Sequence, residues 1–145
     1  MTSNAGTGPR TDRTGSDWSA SVRDAASDSW SVRAAAGRRL AADAEVPEVA
    51  AVLGRLLLDA HDTFVTQETA EALLLRGEVS GLRLVLAALA AADAETGDQI
   101  QCAIVNMCEQ SQEDIEHLAE LAAALVPDPD AGVREEARGL LGAGR

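Results

Sequence analysis

Apolar residues recur along this chain in two interleaved registers. Val32, Val65, Ile100 and Val133 stand 33, 35 and 33 residues apart, and eight positions after each comes Leu40, Leu73, Cys108 or Leu141. Each such pair lies on one face of a helix about two turns apart. Three positions before the markers are Ser29, Asp62, Gly97 and Asp130, all residue types favoured at helix N-caps. The intervening stretches carry a second stripe. Val46, Val49, Val52, Leu53 and Leu56 map onto Val79, Leu82, Val85, Leu86 and Leu89 at an offset of 33. At a further 36 they map onto Ile115, Leu118, Leu121, Ala122 and Leu125. Positions i, i+3, i+6, i+7 and i+10 share one side of an α-helix. The links "DAEVP" and "RGEVS" are short, and Gly77 suits a left-handed helix stop, so consecutive helices are expected as antiparallel neighbours.

The pattern predicts one helical hairpin written about three and a half times, with units at about 29–61, 62–96 and 97–129 and a half-unit at 130–145. A lone hairpin has one apolar face and nothing to cover it, so stability has to come from stacking on the next unit. The expected fold is therefore all-α, an α-α superhelix in the manner of a solenoid. The closing "DAGVREEARGLLGAGR" offers an outer face of Arg134, Glu135, Glu136 and Arg138, as expected of a terminal cap. Residues 1–28 are rich in Ser, Thr, Gly and Asp and are expected to be mostly disordered. A short helix over 17–26 is the exception, with Asp17 as cap and Trp18, Val22 and Ala25 on one face.

Composition agrees, since Ala and Leu dominate while the chain has two Trp, one Phe and no Tyr. Charge narrows the function. The net charge is −12, but residues 1–40 hold six Arg against four acids, and residues 41–145 six Arg against twenty acids. Between Arg83 and Arg134 there are ten Asp or Glu and no Arg or Lys. A field of that sign repels phosphate backbones, so nucleic acid is not an expected partner, whereas a basic protein is compatible. The longest uncharged apolar run, "LVLAALAAA", is too short to cross a bilayer, and the amino end has no apolar core of the secretion-signal kind. These features point to the cytoplasm, with no membrane partner. Cys102 and Cys108, six apart on one helix, are rotated about 240° from each other and are expected as buried, reduced thiols.

The first helices "SWSVRAAAGRRL" and "DAGVREEARGLL", with their Val32–Arg33 and Val133–Arg134 pairs, resemble short bacterial HEAT-like repeats of the PBS-lyase type. The resemblance covers about residues 29–145 and departs at Thr66 and Gln101, where the Arg is absent. It implies a solenoid whose second helices line a concave face.

Some proteins of that architecture are enzymes. Di-iron hydroxylases with stacked helical repeats present several His-Glu pairs; this chain has only "AHD" at His61 and "IEHLAE" around His117, too little for a two-metal site. No glycine loop, nucleophile elbow or C-x-x-C pair is present, and a bilin-lyase activity finds no cofactor-lining feature. The expectation is no catalytic, cofactor-binding or metal-binding residue, no cofactor and no enzyme activity. What remains is surface. The outward ladders of the second helices run through Glu48, Gly81 and His117, through Ala51, Leu84 and Glu120, and through Ala50, Arg83 and Ala119. Glu48, Ala51, Arg55, Arg83, Leu84, His117 and Glu120 are the candidate protein-binding residues of an adaptor with an acidic concave face. The partner would be a basic protein, a toxin or nuclease that the chain neutralises, or a second copy in a homodimer.

Overall fold

A computed structural model of the chain describes residues 18–143. Most of the expected disordered segment, and its cap Asp17, lie outside the described residues. Within them the chain is all-α and contains no strand: α1 (Trp18–Asp24), α2 (Trp30–Leu40), α3 (Pro47–Leu57), α4 (Thr63–Leu75), α5 (Val79–Ala91), α6 (Ala94–Cys108), α7 (Gln112–Leu125) and α8 (Ala131–Ala143), with a 3₁₀ turn at Ala41–Asp43.

Helix starts follow cap chemistry. Ser29 Oγ accepts from the Val32 amide at 3.5 Å, and Asp62 Oδ1 from Phe64 at 2.8 Å. Asp130 Oδ1 accepts from Val133 at 3.0 Å. Helix α3 instead begins on Pro47, whose missing N–H costs nothing in a first turn. Gly77, at φ +67°, follows the C-terminus of α4 in the left-handed conformation. One expected cap is corrected. Gly97 does not start the third unit; Asp93 does, accepting from the Thr96 amide at 2.8 Å, so α6 begins just over a turn earlier. A carboxylate satisfies an end amide that glycine leaves to solvent.

Helices of the same register pack side by side: α2 on α4 and α4 on α6 in one layer, α3 on α5 and α5 on α7 in the other. The core runs between the layers through Leu40, Leu53, Leu73, Leu82, Leu86 and Ile104. Of the four markers, Val65, Ile100 and Val133 are fully buried, while Val32 is half-buried, because only the short α1 flanks α2 on its other side. The α2–α4 crossing is close enough that a Cβ on Gly37 would lie 2.2 Å from Thr69 Oγ1. Thr69 and Thr66 are fully buried, and neither hydroxyl has a hydrogen-bond partner among the described residues.

Helix α8 departs from the repeat. Its main neighbours are α5 and α7, both second helices, rather than α6. Val133 and Ala137 are fully buried there, and a Cβ on Gly132 would meet Ala90 of α5 at 2.8 Å. The Arg83 guanidinium grips the Asp128 carboxylate with two bonds of 2.8 and 3.0 Å, which fixes the α7–α8 connection against α5.

The α2–α4 crossing makes a stability prediction. Gly37→Ala should lower unfolding free energy by about 1–3 kcal/mol through overpacking, exceeding the roughly 1 kcal/mol that Ala gains over Gly in a helix. Adding Thr69→Ala should shrink that loss. Urea unfolding of the two single variants and the double variant measures the coupling, and a neutral Gly37→Ala would rule out the close crossing.

Candidate functional site

Three of the concave regions among the described residues bear on the candidate residues. The first is a cavity of about 230 Å³ where the α4–α5 turn faces the α6–α7 hairpin. Leu74, Leu82, Leu118 and Leu121 form its apolar walls, with Met107, Cys108, Asp114 and His117 around them. His117 Nε2–H donates to Gly77 O at 2.8 Å, which fixes the ring, and Nδ1 lies 3.6 Å from Glu120 Oε1. Burial pushes the Cys108 thiol up to about 11, with the Asp114 and Glu109 carboxylates adding to the shift. The thiol therefore stays protonated and weakly nucleophilic at neutral pH. Among the described residues no three of His, Cys, Asp and Glu gather as metal ligands would.

The second region lies at the amino ends of α2 and α4. Trp30 and Phe64 meet edge to face at 5.1 Å while both remain exposed. Beside them Arg33 pairs with Asp59 at 2.7 and 3.3 Å, with both side chains buried, and donates to Ser27 O and Asp28 O. Arg134 makes the equivalent bonds to Asp128 O and Pro129 O. The Arg of each Val-Arg pair thus ties its own helix to the turn before it. Burial raises the Asp59 carboxyl, but Arg33 and the amides of His61 and Asp62 outweigh it, so the group sits below its ordinary 3.8. His61 itself is exposed beside this ion pair.

The third region is a groove of about 520 Å³ between α3 and α5, lined by Ala51, Gly54, Arg55 and Leu58 on one side and Leu84, Ala87 and Ala88 on the other. Spacings of three and four residues put each set on one helix face. Arg55 is exposed and has no acidic partner among the described residues. Elsewhere Arg33, Arg38, Arg39, Arg76 and Arg83 each hold a carboxylate.

The candidate binding residues therefore separate. Ala51, Arg55 and Leu84 come together in the groove, and Glu48 is exposed one turn before Ala51. Arg83 is committed to Asp128, and His117 and Glu120 belong to the α4–α7 side. The ladder through Glu48, Gly81 and His117 does not exist as a surface. Gly81 is buried where a Cβ would stand 2.5 Å from Leu73 O, so α5 presses that face onto α4. Sequence reasoning also passed over Gly54, Leu58 and the Trp30–Phe64 pair; the spacing of Ala51, Gly54 and Leu58 was the available signal for the groove.

Two outcomes follow. Asp59 has a depressed folded pKa, so its contribution is present at neutral pH and is lost as pH falls below about 3.8. Asp59→Asn should cost roughly 3 kcal/mol at pH 7 and flatten the acid limb of a stability-versus-pH curve followed by circular dichroism. The expectation of two buried thiols is corrected, since Cys102 is exposed and Cys108 only half-buried; alkylation with iodoacetamide at pH 8, read by peptide mass spectrometry, should therefore modify Cys102 well before Cys108. Comparison with protein-family models, curated proteins and solved structures found no match to this chain.

Proposed function

We propose that the chain is a short HEAT-like solenoid that works without catalysis as a protein-docking module, with the α3–α5 groove as its contact surface. The observation carrying this reading is the groove itself. Leu58 and Leu84 remain accessible there among small side chains, whereas Val52, Leu53, Val85 and Leu86 of the same two helices are buried. Side-by-side packing of same-register helices supports the solenoid, because that contact pattern generates a groove between neighbouring second helices. An apolar groove lined by small side chains is the kind of surface that accepts a helix or an extended segment.

A second reading has its own support. Glu109, Glu113, Glu116 and Glu120 are exposed on and between α6 and α7, in a stretch without Arg or Lys. That surface suits a basic partner such as a toxin or nuclease that the chain would cover as an inhibitor.

Photo-crosslinking separates the two. A crosslinkable residue replacing Ala51, Glu116 or Gln101 should capture protein from lysate at position 51 and not at 101. Capture that is confined to position 116, and is lost at high salt, selects the inhibitor reading. Equal capture from all three positions, or none, removes both.

A further inference from the structure

Building on the docking reading, we infer that the partner of the α3–α5 groove is an α-helix with a Gly/Ala-rich face flanked by a carboxylate. The chain carries a template for such a contact. Helix α8 lies across α5 and α7, the adjacent pair of second helices, with Gly132, Val133 and Ala137 forming its seated face. Small residues let the two backbones approach closely: Gly132 and Ala90 leave no space for one further methyl group. The α3–α5 pair is the same kind of seat one hairpin earlier. It shares α5 with the occupied seat, and small residues, Ala51, Gly54, Ala87 and Ala88, line it. Leu58 and Leu84 supply apolar grip along it.

The sign of the partner's charge follows from Arg55. It is the sole charged side chain lining the groove, and it is exposed and without a carboxylate among the described residues. Five other arginines of the chain hold carboxylates supplied by an element or connection outside their own helix and its adjoining turns: Arg33 takes Asp59, Arg38 Glu68, Arg39 Asp24, Arg76 Glu45 and Arg83 Asp128. A docked helix that places an acid beside Arg55 completes the same pairing. This groove therefore selects an acidic helix, in contrast to the basic partner that the chain's net charge of −12 suggests. Local charge at the contact, and not net charge, decides which side chain is paired.

The probe is a fluorescein-labelled peptide of residues 128–145, which presents the α8 face together with Glu135 and Glu136. Fluorescence anisotropy against the full chain should show saturable one-to-one binding. Ala51→Glu, at an exposed helical position that leaves the fold intact by circular dichroism, should weaken binding by at least about tenfold. Arg55→Glu should weaken it by a similar factor, and a peptide carrying Glu135→Arg and Glu136→Arg should restore binding to that variant. If the peptide does not bind, or binds equally to Ala51→Glu, the inference is overturned, while groove-dependent crosslinking at position 51 would leave the docking reading standing. Loss with Ala51→Glu but not with Arg55→Glu overturns the acidic requirement alone. Light scattering closes the remaining route: a wild-type dimer that Ala51→Glu makes monomeric would assign the groove to a second copy and overturn the inference.

Discussion

Every helix from α2 to α7 buries its apolar stripe against the helix two places away, and the rest of the structure depends on that contact. The hairpins contribute little alone, since each Leu or Val gains only about 1.5–3 kcal/mol on burial and a single hairpin leaves half of its stripe wet. Helix α4 shows what the arrangement demands. Flanked by α2 and α6, it buries Thr66 and Thr69 completely, with hydroxyls that find no partner. An unpaired buried hydroxyl costs on the order of 1–3 kcal/mol. The layer tolerates that cost because Gly37 lets α2 approach closely enough to fill the space around Thr69 with contacts.

Arginine does the joining that helix packing leaves undone. Arg33 and Arg134 each tie a helix to the carbonyls of the turn before it, Arg76 reaches Ala41 O and Glu45 across 31 residues or more, and Arg83 holds Asp128. A guanidinium serves this purpose better than an ammonium, because its planar fork matches a carboxylate or two adjacent carbonyls with fixed geometry. These pairings also use up much of the chain's positive charge, which leaves the α6–α7 surface with unopposed carboxylates and Arg55 as an unmatched cation.

Local physics was legible in the sequence and rotation about the helix axes was not. Ser29, Asp62 and Asp130 cap where their spacing placed them, and Gly77 adopts the expected left-handed turn, because each depends only on neighbours a few residues away. The third unit's extra residues detached the cap from the register, so Asp93 replaced Gly97. Gly81 shares a repeat position with Glu48, yet one is pressed against a carbonyl and the other is exposed; a register cannot say which way α5 turns once a missing side chain permits close approach. Ala51, Arg55 and Leu84 were placed together because α3 and α5 follow the repeat. The pairing of Arg83 stayed hidden because its partner Asp128 lies 45 residues on, beyond any helical period. The seating of α8 was equally hidden, since its stripe fits any neighbouring apolar pair.

Helix α8 also divides the surface of the second helices into two fates. Three second helices side by side form two troughs, and α8 fills the one between α5 and α7. Among the described residues the trough between α3 and α5 stays open, so the same helix plugs one trough and leaves its neighbour uncovered. One more hairpin inserted ahead of α8 would add one more open trough while the final pair stayed plugged.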